Sequence, residues 1–235
     1  MRPARNILLN LVFCALFMGS VSAGVRAETQ KPFYIAPETL PPSLLIPPPT
    51  EGTVVAHKDV QAVIAAQKHI SESDRAALVN EQHMRLELMT DVMGAHFTRE
   101  QYPKTFALLD HVLSDAAAIT EKDKFFWHIR RPYLVDHRVK LLVDPIDASP
   151  AYPSGHTSES RVIAEVLGLL YPDHLTDLRT HANVIAWHRV EAGVHYPTDL
   201  EGGRMLAMLM TGAFLQSDDF QNDLAAARAE IAQER

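Results

Sequence analysis

The sequence predicts an all-α fold, a single-domain helical bundle preceded by a proline-rich arm. Beyond Thr53, apolar residues recur at helical spacing in one segment after another, and sustained period-two alternation is nearly absent. The chain has 235 residues, of which 47% are apolar, 22% charged and 7% aromatic, suiting one globular domain or two small ones. That composition excludes a disordered, collagenous or low-complexity chain. Lys and Arg number 22 against 29 Asp and Glu, a formal charge of -7, and no segment gathers five basic residues. A nucleic-acid polymer held through its phosphates is therefore an unsuitable partner. A lone cysteine, Cys14, excludes a disulfide framework or a thiolate metal site within one chain.

Residues 1–23 read as a secretory signal peptide. Arg2 and Arg5 precede the apolar run Ile7 to Val21, and Val21-Ser22-Ala23 places small residues two apart, with a second candidate cut after Ala27. A retained anchor needs about 20 consecutive apolar residues, and Asn10, Gly19 and Ser20 interrupt a shorter stretch. Leu206 to Leu215, the most apolar later run, is also too short to span a bilayer. The expected location is outside the inner membrane, periplasmic in a Gram-negative host, with no stable span. The arm, residues 28–52, carries seven prolines between Lys31 and Glu51 and reads as extended chain. Its apolar residues Phe33, Tyr34, Leu40, Leu44, Leu45 and Ile46 place it along the surface of the helical domain, residues 53–235.

Within that domain, His57 to Ile70 carries Val60, Val63 and Ile64 on one helical face. Ser73 or Asp74 is the expected cap of a helix running to about Gly94; Arg99 to Ile119 repeats the spacing, and Thr120 to Arg131 reads as a further helix ended by Pro132. Residues 133–153, with Pro145, Pro150 and Pro153, read as a loop with a short extended piece at Val139 to Val143. Helices are expected again at Thr157 to Leu170, Leu175 to Val190, Thr198 to Leu215 and Asp219 to Gln233.

Three clusters stand out. Lys124 and Arg131 are seven residues apart, two helical turns, so on one helix they form either an oxyanion clamp or a solvated basic face. Tyr152-Pro153-Ser154-Gly155-His156-Thr157 is a tight turn directly before a helix. It is either an anion site at a positive helix end, with His156 able to move protons, or a turn whose Ser154 or Thr157 caps orphan donors. In the third, Arg189 falls in a last helical turn, Gly193 suits a C′ position, and Thr198 with Glu201 fits a capping box. His195 then lies between two helices with Asp199 placed to orient its ring, as a nucleophile or base pair or as a structural His–Asp pair. A metal reading of His181, His188 and His195, which recur every seven residues among 12 histidines, meets two helix breakers, Gly193 and Pro197, and no zinc-site spacing.

Lys124 with Arg131-Pro132, Pro153-Ser154-Gly155-His156, and Arg189, His195 and Asp199 together resemble, in order and spacing, the three-part signature of the type 2 phosphatidic acid phosphatase (PAP2) superfamily, which includes the vanadium-dependent haloperoxidases. The signal peptide, arm and Tyr-Pro-Ser-Gly-His-Thr string are most similar to its bacterial class A non-specific acid phosphatases. The resemblance implies a helical bundle of the PAP2/haloperoxidase type and hydrolysis of small phosphomonoesters with broad specificity. By the same resemblance His195 is the nucleophile of a phosphohistidine intermediate, Asp199 orients it, and His156 is the acid and base. Lys124, Arg131, Ser154, Gly155, His156 and Arg189 would bind phosphate, with no metal or cofactor and with vanadate bound as a phosphate mimic. Haloperoxidase chemistry, a lipid substrate and a non-catalytic phosphate-binding role are the alternatives, and a homo-oligomer stays open. One residue departs from the pattern: the family usually has Ser before the third-motif Arg, where this chain has His188.

Overall fold

The computed structural model describes residues 31–145 and 149–233, within one unit that begins at Lys31. The expected signal peptide, both candidate cuts and the first residues of the arm lie outside the described residues. Those described are helical, without β-strand. The helices are α1 (Val54–Ala66), α2 (Glu72–Asn80), α3 (Glu87–Thr90), α4 (Pro103–Trp127), α5 (Pro132–Val135), α6 (Gly155–Leu170), α7 (Leu175–Glu191), α8 (Pro197–Phe214) and α9 (Asp218–Gln233).

At the centre is α6, with eleven of its 16 residues buried and with α4, α7 and α8 packed around it. Such burial follows from its sequence: Val162, Ile163, Ala164, Val166 and Leu167 are contiguous enough to be apolar on nearly every side. Helix α9 covers α4 with Phe220, Leu224, Ala227 and Ile231, while α1 joins α7 and α8. The arm is extended chain broken by 3-10 turns at Pro37–Thr39 and Pro42–Leu44. It buries Ile35, Leu40 and Leu45. The buried carboxylate of Asp115 on α4 accepts the N–H groups of Phe33, Tyr34 and Ile35 at 2.9, 2.7 and 3.0 Å.

Four sequence expectations change. First, α4 runs unbroken through the boundary expected at Thr120. Its hydroxyl bonds Ser158 Oγ across the α4–α6 contact (2.8 Å) instead of capping a new helix. Second, α4 stops at His128, whose left-handed backbone (φ 53°) takes the place glycine usually fills. Arg131 therefore lies beyond the helix, and the argument that it shares a helical face with Lys124 fails. Third, the helix expected to reach Gly94 is capped by Ser71 and ends at Asn80. Leu78 belongs to a small core with Ala192 and Val194, whereas Leu86, Leu88, Met89 and Met93 enter the main core, and no straight helix serves both. Fourth, the loop after Pro132 begins with α5, and Val139 to Val143 pairs with no strand. Gln67 holds it instead, donating to Lys140 O (2.6 Å) and accepting from Lys140 N (2.9 Å), and Leu142 N donates to Ala192 O (3.1 Å).

Candidate active site

The site forms where α4, α6, α7 and the start of α8 meet. At the α7–α8 junction, Gly193 takes φ 79°, and a Cβ there would lie 2.3 Å from Lys140 O. This turn lets Arg189 O accept both Val194 N and His195 N at 3.2 Å, which sets His195 under the last turn of α7. The expected Thr198–Glu201 capping box is absent. Asp199 caps α8, its Oδ2 accepting Tyr196 N–H at 2.8 Å. Thr198 donates instead to Asp59 (2.5 Å), and Glu201 pairs with Arg204.

The hydrogen bonds fix the tautomer of His195. Arg131 Nη1, which can only donate, lies 3.2 Å from His195 Nε2, so Nε2 holds a lone pair. Nδ1 therefore carries the proton and donates to Asp199 Oδ2 at 3.1 Å. Both residues are buried. Burial, with Arg131 and Lys124 nearby, holds His195 well below the usual imidazole range, so the ring is neutral. Burial pushes Asp199 up, and the Tyr196 N–H with the charges of Lys124 and Arg131 draws it back down.

Three cations surround this pair. Arg131 is braced by the carbonyls of Ser149, Pro150 and Val194 at 2.8, 3.3 and 3.0 Å. Lys124 Nζ donates to Pro150 O (2.8 Å), and burial, reinforced by Arg131, lowers it to about 7. Arg189 is buried with one bond, Nη2 to Leu78 O at 3.1 Å; its Nε and Nη1 have no partner among the described residues. Buried guanidinium donors without a protein partner are what a phosphoryl oxygen would satisfy.

The turn before α6 supplies the remaining donors. Ser154 makes no side-chain cap; its Oγ accepts from Thr157 Oγ1 (2.9 Å), so its own proton remains to be donated. The first N–H groups of α6 therefore have no side-chain partner and sit at the positive helix end. A Cβ on Gly155 would be 3.7 Å from Lys124 Cε, so the backbone here lies close to the ammonium stem. Ser154 N donates to Asp199 O (3.0 Å), tying this turn to the His195 pair. His156 Nε2–H donates to Glu81 O at 2.8 Å; burial, then Arg189, pushes the ring down to about 3.

Lys124, Arg131, Ser154, Gly155, His156, Arg189, His195 and Asp199 thus all line one region. The three histidines weighed as metal ligands diverge, His181 to Leu88 O, His188 to Glu81 and His195 to Asp199. Sequence reasoning missed two neighbours. Glu81 bonds both His188 and His156, and nothing in its sequence context marks it. Glu159, raised to about 7 by burial, lies one helical turn beyond Gly155, a spacing that would have revealed it.

The PAP2 superfamily model matches residues 107–223. An acid phosphatase of Zymomonas mobilis is 26% identical, with 98% of this chain and 91% of that protein covered. A non-specific acid phosphatase of Salmonella typhimurium is 24% identical over 90% of this chain and 88% of its own. Another, from Providencia stuartii, is 23% identical over 81% and 80%. Among solved structures, the fold is similar to a transmembrane PAP2-type phosphatidylglycerolphosphate phosphatase from Bacillus subtilis. The TM-score is 0.50 at 18% identity, covering 69% of this chain and 85% of that one. Among the described residues no helix is long and apolar enough to cross a membrane.

Proposed function

The chain carries a PAP2 superfamily domain and is a phosphoric monoester hydrolase, and from that premise we propose an exported acid phosphatase of broad specificity that works through a phosphohistidine. The observation that carries the reading is the forced tautomer of His195: a buried, neutral imidazole with its Nε2 lone pair directed at Arg131 and its Nδ1–H on Asp199.

In the first step Nε2 of His195 forms a bond to phosphorus as the ester P–O bond breaks. The proton on His156 passes to the departing oxygen, releasing an alcohol. Asp199 stabilises the positive charge that develops on His195. Lys124, Arg131, Arg189, the Ser154 hydroxyl and the Gly155 N–H hold the equatorial oxygens, where phosphoryl transfer demands positioning and charge stabilisation. In the second step water attacks phosphorus, its proton goes to His156, and the P–N bond breaks to return neutral His195 and free phosphate.

The two histidines need opposite charge. A bound phosphoryl group offsets Arg189, Lys124 and Arg131, the cations that help depress both rings, and once His156 takes a proton its charge opposes a second proton on His195. Acidic conditions therefore suit the pair. Export is supported by Arg2, Arg5 and the Ile7 to Val21 run, and broad specificity by the relatives named non-specific acid phosphatases.

The test is p-nitrophenyl phosphate hydrolysis from pH 4 to 9 in excess EDTA, beside His195→Ala, with acid-labile, base-stable phosphoenzyme trapped from wild type. Turnover that survives the chelator, falls as pH rises and disappears with the trapped phosphate in His195→Ala is expected. A chelator-sensitive rate, a rate flat across that range, or an active His195→Ala overturns the mechanism.

A further inference from the structure

Helix α2 buries only Leu78 of its nine residues, so apolar packing alone fastens it weakly to the bundle. Yet its last turn reaches the site twice: Leu78 O accepts from Arg189 Nη2 (3.1 Å), and Glu81 O accepts from His156 Nε2–H (2.8 Å). What fastens this turn is polar. His188 Nδ1–H donates to Glu81 Oε2 at 2.7 Å, and both side chains are mostly buried between α2 and α7. The Glu81 bond raises the His188 proton affinity above the ordinary value; the Glu81 and Glu191 charges add to it, and burial and Arg189 oppose it. Asp74 of α2 lines the same side as Glu191. His188 Nδ1, at the position where the family usually has Ser, is thus committed to Glu81.

We propose that Glu81 and His188 are positioning residues that clamp the Glu81 carbonyl onto His156 and so commit the other ring nitrogen, Nδ1, to protonating the leaving group. A carbonyl only accepts, so Nε2 keeps its proton in either charge state of His156, and Nδ1 is the only ring atom that exchanges one. When the clamp is broken, the last turn of α2 frays, as helix ends do, and His156 loses the contact that fixes its ring. The inference rests on His156 being the acid.

The measurement is kcat/KM on two substrates of different leaving group, p-nitrophenyl phosphate and glycerol phosphate. An alkoxide must be protonated as it leaves, whereas p-nitrophenolate leaves unaided. Wild type is compared with His156→Ala, Glu81→Ala, His188→Ala and His188→Asn, whose amide N–H overlies Nδ1–H. His156→Ala should lose about 10²-fold or more on glycerol phosphate and far less on p-nitrophenyl phosphate. Glu81→Ala and His188→Ala should repeat that asymmetry at about tenfold against less than about threefold, and His188→Asn should recover most of it. Equal losses on both substrates, no loss on either, or no recovery in His188→Asn overturns the clamp. Should Glu81→Ala fail to fold, the two His188 variants decide alone. An even loss in His156→Ala would overturn the acid assignment itself, while asymmetry confined to His156→Ala removes only the clamp.

Discussion

Replacing Arg189 by Met should make the protein more stable and nearly inactive. The side chain is 1% exposed, yet only Nη2 has a partner; Nε and Nη1 are buried without one among the described residues. Burial and Arg131 press its affinity for a proton down to about 10, against the attraction of Glu81, so the charge is poorly compensated. Each unpaired buried donor costs about 1–3 kcal/mol, and the bond to Leu78 O returns about 1.5–3 kcal/mol. Methionine keeps the packing and removes both unpaired donors and the bond, but leaves Leu78 O without its partner, for a net gain of about 1 kcal/mol. In a domain of this size that is a rise of about 2–4 °C in melting temperature. Activity should fall about 10²–10³-fold, the usual loss when one charge-stabilising donor is removed. Calorimetric melting with and without phosphate separates the two effects. At 100 times its dissociation constant, phosphate should stabilise wild type by about 2.7 kcal/mol and the variant much less. A variant that melts below wild type in phosphate-free buffer, or that phosphate protects equally, would refute the assignment of Arg189 as a strained phosphate ligand.

Gly202 lets α8 approach the turn before α6, and an Ala Cβ there would lie 2.3 Å from Tyr152 Cε2. Gly202→Ala should push Tyr152 to Ser154 outward by about 1 Å, with a loss in kcat/KM of about 10²-fold and a stability cost of about 1–3 kcal/mol in urea unfolding; unchanged kinetics would show that the turn is not held by α8. Asp115→Ala strands the N–H groups of Phe33, Tyr34 and Ile35 and should cost about 2–4 kcal/mol, read as early proteolysis within the arm. The His188–Glu81 bond carries a sign in pH. Because the folded His188 binds its proton more tightly than the unfolded one, its stabilisation is full below about pH 6.5 and is lost as pH rises through the folded value. Glu81→Gln should therefore lie below wild type by about 1 kcal/mol, after solvent screening, at pH 5.5 and approach it at pH 9.5. A gap constant with pH would mean that the pair is not ionic.

Local chemistry determined much of this protein in advance. Helices α6 to α9 were legible to within two residues because strong apolar periodicity and nearby proline or glycine signals agree there. The residues proposed for the site could be picked out because a phosphoryl group asks for cations, imidazoles and an open helix start whatever the fold, and these stand in three short strings. Tertiary structure decided what depends on partners distant in the chain. Thr120, expected to open a new helix, is interior to α4, where its hydroxyl meets Ser158, 38 residues away. Arg131 joined Lys124 through the left-handed turn at His128, a conformation that histidine tolerates better than most residues but adopts only in a small minority of positions. The capping box of α8 pairs Tyr196 with Asp199, not Thr198 with Glu201, because the helix already begins at Pro197 and Thr198 lies inside it, its hydroxyl on Asp59. Glu81 acquired its place only when the break in α2 brought its carboxylate to His188 and its carbonyl to His156. Periodicity along a chain reports which face is buried, whereas a hydrogen bond between distant residues exists only once packing has brought donor and acceptor together.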